Sequence, residues 1–190
     1  PQHRLKNTRA HAIFQIMMTH LTDRKALIQN RERSRRKPAL FLHDVAADEI
    51  NDRLNMVNRS FTNPVVITGF PEFWADRIPG ATCISDEETL ELEVDHHDLV
   101  IHAMCLHWAN DPVGQLIQAR RALKPDGLFL GVFFGGGTLH ELRSCLAQAE
   151  ADLTGGLSQR VAPMAEIRDL GALLQRAGFA LPVADSVNLT

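Results

Sequence analysis

The 190-residue sequence predicts an α/β domain in which a mostly parallel sheet carries helices on both of its faces. Two observations support this prediction. Short apolar runs, suited to buried strands, alternate with longer stretches in which apolar residues recur every three or four positions, as on one face of a helix. Glycine or proline separates most of these segments. Such alternation is typical of parallel sheets, because each parallel strand needs a crossover connection to the next.

The first half of the pattern comprises two helices and two strands. Residues 44–61 are predicted to form a helix with one apolar face, and Asp44 can cap its start. Asn63 and Pro64 end this helix, and a buried strand over residues 65–68 follows them. A short helix over 71–78 begins at Pro71, and residues 81–85 form the second strand.

The second half contains the most apolar segments of the chain. Residues 98–104 are predicted as a third strand, nearly continuous in apolar residues as a strand covered on both faces should be. A helix over 111–123, a turn over 124–127 and a fourth strand over 128–134 follow. Three glycines then lead to a helix over 138–152, and a helix over 165–177 precedes a final strand over 179–189.

Charge is distributed unevenly along the chain. Residues 1–37 hold ten Lys and Arg against two acidic residues, whereas residues 38–190 hold ten against twenty-one. We therefore predict a basic, partly helical leader over 1–43 and a folded domain over 44–190. A basic leader can meet RNA, an acidic membrane surface or a protein partner, or it can simply be solvated. No aromatic residue stands among the basic residues 31–37, which argues against nucleic acid as the partner.

Composition excludes several other classes of protein. Cys83, Cys105 and Cys145 are scattered through apolar stretches, which predicts buried, reduced thiols and a cytoplasmic location. His96 and His97 point to opposite sides of an extended segment, so no metal site is predicted. No apolar run approaches the roughly 20 residues that a membrane span needs. Residues 12–18 lack the features of a signal peptide.

Motifs in the second half carry a resemblance to a known family. Residues 97–101, 106–111 and 123–127 resemble the second half of class I S-adenosylmethionine (SAM)-dependent methyltransferases, whose fold is Rossmann-like. Residues 134–143 (FGGGTLHELR) and 169–179 (DLGALLQRAGF) are similar to motifs of the methyltransferase-like proteins related to mitochondrial complex I assembly factor 5 and their alphaproteobacterial relatives. The resemblance covers roughly residues 22–190.

This resemblance implies a cofactor and a set of site residues. SAM would lie across the carboxyl ends of the strands, held by Gly69, Asp86, Glu87 and His102. His107, Trp108 and Arg143 would face the methyl acceptor and are the catalytic candidates. Each residue also has a simpler explanation: an exposed turn aspartate, a hydrogen-bonded core histidine, a tryptophan that packs a helix, or an arginine on the surface.

The sequence departs from the family in its cofactor loop. When Gly69 is aligned with the first loop glycine, Ile67 replaces the preceding aspartate, and Pro71 and Phe73 replace the second and third glycines. Proline removes an N–H and fixes its φ angle, and a phenylalanine ring fills space that bare backbone would leave open. The family's second strand, its ribose-binding acid and the next helix are also missing, which predicts weakened SAM binding.

The family's last strand is missing as well. Its loss would leave the strand at 128–134 as an apolar edge, which recruits a protein partner or a second copy of the chain unless the sequence given is truncated.

The leading functional hypothesis is therefore a SAM-dependent methyltransferase with a degenerate cofactor loop and an unknown acceptor. The alternatives are a catalytically inactive scaffold or respiratory-complex assembly factor, an arginine-modifying assembly factor of the hydroxylase type, and an RNA-binding accessory protein.

Overall fold

The computed structural model describes residues 20–162 and 164–189, so the predictions on residues 12–18 lie outside the described part. The chain divides into two units, residues 1–38 and residues 39–190. In the first unit, the described residues form helix α1 (Arg24–Arg35), whose start is capped by the Asp23 carboxylate through the Ala26 N–H at 3.0 Å. Arg33 and Arg35 lie in its last turn, where positive charge is favourable.

The second unit contains four strands and five helices within its described residues. The strands are β1 (Pro64–Thr68), β2 (Thr82–Ser85), β3 (His97–Ala103) and β4 (Leu123–Val132). The helices are α2 (Phe41–Met56), α3 (Pro71–Trp74), α4 (Pro112–Ala122), α5 (His140–Thr154) and α6 (Ile167–Arg176), with a 3₁₀ turn at Leu106–Trp108.

All four strands are parallel, in the order β2-β1-β3-β4. Thr68 of β1 pairs with Ser85 of β2 and with Ala103 of β3, and Ala103 also pairs with Val132 of β4, so the carboxyl ends of the strands lie along one edge. The chain runs from β1 outward to β2 and then crosses to β3 on the other side of β1. Ligands of open α/β sheets bind at such a reversal of strand order.

Helices cover both faces of the sheet. Every residue of β1 and β3 is buried, as the central strands of a parallel sheet should be. On one face, Val66 and Ile101 pack with Ile50 of α2 in one core cluster. On the other face, Ile67 and Val100 pack with Ala119 of α4. The predicted α/β class is confirmed.

The predicted shortening of the sheet is also confirmed. β1 and β2 are direct neighbours, with only the short helix α3 between them in the sequence, so no second family strand separates them. On the other side, β4 is the edge strand among the described residues.

Several predicted boundaries were wrong. α2 begins before residue 44 and ends at Met56 rather than 61, where Val57 leaves the helical conformation with a ψ of 77°. The backbone N–H groups of Thr62 and Asn63 donate to the Asp98 carboxylate, at 2.6 and 3.0 Å. The helix predicted over 71–78 ends at Trp74. The turn predicted over 124–127 belongs to β4, which starts at Leu123 and ends two residues before the predicted limit.

Asp98 anchors the segment that leads into β1. Burial alone would raise the pKa of its carboxyl, but the hydrogen bonds from Thr62 and Asn63 outweigh this effect and lower it. The Thr62 hydroxyl donates to the same carboxylate at 2.8 Å. Asp98 therefore remains ionised and ties the start of β1 to β3.

The C-terminal predictions need correction as well. Helices α5 and α6 each begin and end within two residues of the predicted limits. Leu139, the residue before α5, has a left-handed backbone conformation. The strand predicted over 179–189 does not form: residues 180–189 contain no strand, Leu181 has a φ of 49°, and Pro182 lacks an N–H. Leu181 and Val183 are 93% and 87% exposed, so nothing buries them as a strand would.

The three cysteines differ in their exposure to solvent. Cys105 is buried and Cys83 is half-buried, and burial raises the pKa of the Cys83 thiol. Cys145 is exposed, contrary to the prediction. Cys145 is exposed because α5 has no buried residue. In the described residues, no helix combines the length and apolarity of a membrane span, and no group of three or more His, Cys, Asp or Glu is placed to hold a metal ion.

Candidate functional site

The reversal of strand order places the candidate site between the carboxyl ends of β1 and β3. Hydrogen bonds tie the end of β3 to β1 on one side and to β4 on the other. The Cys105 thiol donates to the Ile67 carbonyl oxygen at 3.3 Å, and the Met104 N–H donates to the Val132 carbonyl oxygen at 2.8 Å. Met104 has a φ of 55°, a left-handed conformation that turns the chain out of β3.

The loop that follows β1 turns at once into helix α3. The Thr68 hydroxyl oxygen accepts a hydrogen bond from the Phe70 N–H at 3.2 Å, and Pro71 occupies the first turn of the helix. Proline suits this position because its missing N–H would have no intrahelical partner. Gly69 is buried in this turn. The residues that replace the family's glycines therefore form a tight turn followed by the short helix α3.

The side chains of His43, Phe70, Phe73 and Trp74, here called the aromatic cluster, pack where that loop meets α2. His43 lies edge-on to Phe70, Phe73 and Trp74, with ring centroids 5.0, 5.7 and 6.1 Å apart. The Trp74 Nε1–H donates to His43 Nδ1 at 3.2 Å, and the indole is fully buried. The Arg77 guanidinium lies 4.6 Å from the centre of the Phe73 ring.

These residues do not fit the glycine loop through which the family holds SAM. Phe73 and Trp74 belong to the core cluster around α2 and β1, so their rings are part of the packed interior. Because β2 pairs directly with β1, no intervening strand can carry an acid to the ribose hydroxyls. At the family's positions the loop keeps only Gly69; the second and third glycines and the carboxylate are missing.

The loop that carries Asp86 and Glu87 is fastened to α4. The Gln115 side-chain amide donates to the Glu87 carbonyl oxygen at 2.9 Å. Gln118 donates to the Glu88 carbonyl oxygen at 3.1 Å and accepts from the Leu90 N–H at 2.8 Å. Asp86, directly after β2, is only 3% exposed, whereas Glu87 is exposed. The sequence prediction missed Gln115 and Gln118, although their three-residue spacing places them on one face of α4.

His102 lies in the core beneath this loop. Its Nε2 is 2.8 Å from Gln115 Oε1, and its Nδ1 is 3.1 Å from the Cys105 sulfur. Since the Gln115 amide nitrogen donates to Glu87, its oxygen must accept, which places the proton of the neutral ring on Nε2. Burial lowers the pKa of His102 to about 4, while the Gln115 hydrogen bond and the nearby Asp86 charge oppose this change. Nε2 is bonded to Gln115, and Nδ1 lies beside the Cys105 thiol, whose single proton can go either to Nδ1 or to the Ile67 carbonyl oxygen.

The residues predicted to face an acceptor lie at the carboxyl ends of β3 and β4. His107 and Trp108 form the 3₁₀ turn after β3, and the His107 ring packs against Trp108 at 4.9 Å and Phe134 at 4.7 Å. Arg143, in the first turn of α5, donates to the Gly136 carbonyl oxygen at 3.1 Å. A Cβ at Gly136 would meet the Glu166 carboxylate, so that side chain would have to move.

The structure thus arranges the predicted residues in two groups. Gln115 joins His102 to the backbone of Glu87, next to Asp86, and Gly69 directly follows the end of β1. His107, Trp108 and Arg143 surround the segment from Phe134 to the triple glycine. His43 and Cys105 were missed as members of this region because their contacts join distant parts of the sequence.

Comparisons with known proteins agree with this architecture. The family profile described as a methyltransferase domain matches residues 71–131. Human mitochondrial arginine-hydroxylase NDUFAF5 is 44% identical over 109 residues, which are 57% of this chain and 32% of that protein. RP459 of Rickettsia prowazekii is 36% identical over 104 residues, 55% of this chain and 46% of that protein. The chain thus spans less than half the length of these two relatives.

Solved structures support the fold independently. A SAM-dependent methyltransferase of Thermotoga maritima superposes with a TM-score of 0.53 at 15% identity, over 82% of this chain and 79% of that one. Identity at this level supports the fold alone. Together with the parallel sheet, these findings support a class I methyltransferase-like fold for this chain and a similarity in sequence, over somewhat more than half of its length, to NDUFAF5 and RP459.

Proposed function

We propose that this chain is a non-catalytic member of the family that keeps the methyltransferase fold as a protein-binding scaffold, with a role in respiratory-complex assembly. The aromatic cluster is the observation that carries the proposal. Trp74 is fully buried and bonded to His43 at the place where the family needs open backbone. Removing a fully buried tryptophan from a core costs about 3–5 kcal/mol, so the cleft does not open without a large loss of stability.

The missing ribose-binding acid supports the same conclusion. Each charge-assisted hydrogen bond that a ribose hydroxyl loses is worth about 1.5–3 kcal/mol. Two such losses weaken binding by about two to four powers of ten, because each 1.4 kcal/mol corresponds to about tenfold. The chain therefore does not hold SAM at cellular concentrations.

The cysteines indicate the compartment of this scaffold, and its edge strand indicates where a partner binds. Cys83, Cys105 and Cys145 are free thiols, which suits a reducing compartment such as the cytoplasm. Within the described residues β4 is an edge strand, and its side away from β3, with the apolar residues 128–134, is a place where a protein partner or a second copy of the chain adds a strand.

A SAM-dependent methyltransferase is the second candidate. The buried position of Asp86 at the end of β2, on a loop fastened by Gln115 and Gln118, favours it because the resemblance assigns an adenine contact to this residue. Arginine modification is a further candidate, on the basis of the 44% identity to NDUFAF5.

Isothermal titration with SAM and with S-adenosylhomocysteine tests the proposal. We expect no saturable heat up to millimolar concentrations of either compound, because the aromatic cluster and the missing acid leave no complete site. A micromolar Kd would contradict the scaffold and favour the methyltransferase. Asp86→Ala is the matched control for that outcome: it should then weaken binding, whereas Asp76→Ala on the exposed turn after α3 should not.

A further inference from the structure

Helix α5 presents an apolar row to solvent. Leu142, Leu146, Ala149 and Leu153 follow one another at steps of four, three and four residues, which places them on one face of the helix. All four are exposed, with 48% of Leu142 and 85% of Leu153 accessible, and no residue of α5 is buried. A contiguous exposed apolar row rimmed by polar residues is typical of a surface that binds another protein.

Acidic residues border this row on one side. Glu141, Cys145, Gln148 and Asp152 repeat the same spacing one residue earlier, so they form a second exposed row beside the first. Gln148 donates to the Asp152 carboxylate at 2.9 Å, which leaves its negative charge in place. No Lys or Arg belongs to either row. The outward surface of α5 is therefore an apolar row with a negative margin.

The row on the other side of the helix, from Arg143 to Thr154, is partly covered by the segment that follows α5. Ala147 and Glu150 are half-buried, and Glu150 accepts hydrogen bonds from the Ser158 N–H and from Arg160, at 2.8 and 2.6 Å. Residues 155–160 therefore lie against this side of α5. The apolar row and its acidic margin together form the exposed apolar side of the helix that a partner can cover.

This arrangement disfavours a second copy as the partner. In an antiparallel two-fold pair of α5 helices, the acidic row of one copy would lie beside the acidic row of the other, and like charges at that distance are destabilising. A parallel two-fold pair would instead require the row that contains Arg143 and Glu150, and Glu150 is already bonded to Ser158 and Arg160.

We propose that the outward surface of α5 binds an amphipathic helix of a partner protein, one with aliphatic residues on one face and Lys or Arg along its edge. The aliphatic face would cover the row from Leu142 to Leu153, and the basic edge would meet Glu141 and Asp152. Amphipathic helices bind protein surfaces through such spaced apolar anchors, and opposite charges at the rim select the partner. This inference rests on the proposed scaffold function and assigns the kind of partner.

Binding of a designed peptide tests the inference on the full chain. The probe is a fluorescein-labelled 18-residue peptide of leucine and lysine with one apolar helical face, and its counterpart carries glutamate for lysine. Fluorescence anisotropy should show saturable binding of the lysine peptide and at least about tenfold weaker binding of the glutamate peptide.

Matched variants identify the surface. Leu142→Ser with Leu146→Ser should weaken binding of the lysine peptide by about tenfold or more, because apolar anchors dominate such interfaces. Leu181→Ser, at an exposed leucine outside α5, should not. Glu141→Lys with Asp152→Lys should also weaken binding, whereas Glu91→Lys with Glu93→Lys, on another exposed acidic segment, should not.

Two outcomes would overturn the inference. Equal affinity for the peptide in the α5 variant and the Leu181→Ser control would mean that binding is unspecific. A wild-type dimer in sedimentation velocity that the leucine substitutions convert to a monomer would identify a second copy as the occupant. SAM titration is independent of both, so the scaffold proposal and the α5 surface can fail separately.

Discussion

Replacement of Trp74 by alanine is expected to lower the free energy of unfolding by about 3–5 kcal/mol, the usual cost of removing a fully buried tryptophan. The indole is completely buried, packs edge-on against Phe73 at 5.7 Å, and donates to His43 Nδ1. Since small domains have only about 5–15 kcal/mol of stability, the variant should be marginal at 37 °C. Urea denaturation followed by circular dichroism measures the change.

A second tryptophan supplies the control. Trp108 is only half-buried, so Trp108→Ala should cost clearly less than Trp74→Ala. Where Trp74→Ala does not fold, Trp74→Phe keeps most of the ring and loses the hydrogen bond to His43, which should cost about 1–2 kcal/mol. Equal and small losses at both positions would show that the aromatic cluster is not part of the core and that the loop can open.

Acid should destabilise the protein through His102. Its pKa is about 4 in the folded chain and about 6.5 in an unfolded one, so between these values the unfolded state binds more protons. Stability is therefore complete above about pH 6.5 and is lost as the pH falls toward 4. The difference of about 2.5 pKa units corresponds to about 3 kcal/mol.

His102→Gln separates this effect from other titrations. Glutamine is neutral throughout this range and can still donate to Gln115 Oε1, so the variant should lose less stability between pH 7 and pH 4 than the wild type does. Urea midpoints measured at pH 7, 5.5 and 4 give both curves. Parallel curves would contradict the account, since they would mean that His102 does not stay neutral in the folded core.

Local patterns in the sequence predicted most of the fold. The buried strands at the centre of the sheet are apolar runs bounded by breakers, and the shortened spacing between Gly69 and Asp86 already indicated that one strand was missing. These features depend on residues close together in the chain. The prediction of a final strand was wrong for a different reason. Val183 and Val187 have strand propensity, but residues 180–189 pair with no strand of the sheet, and Leu181 and Pro182 interrupt the extended backbone.

The candidate site was less predictable because long-range packing builds it. Pro71 and Phe73 were identified from the sequence as departures from the family. The contacts of His43 with Phe73 and Trp74 could not be predicted, because they depend on where α2 crosses the sheet. His102 could not be assigned to core or cleft without the position of Gln115, thirteen residues later on a different element. The roles of Asp86 and Arg143 toward a ligand remain predictions.

A crystal structure of the chain grown with millimolar S-adenosylhomocysteine tests the central claim most directly. The account predicts that Phe73 and Trp74 pack against His43 as described and that no nucleoside lies between Gly69 and Cys105. Density for the nucleoside beside Gly69 and Asp86, with its ribose hydroxyls bonded to other groups of the protein, would contradict it.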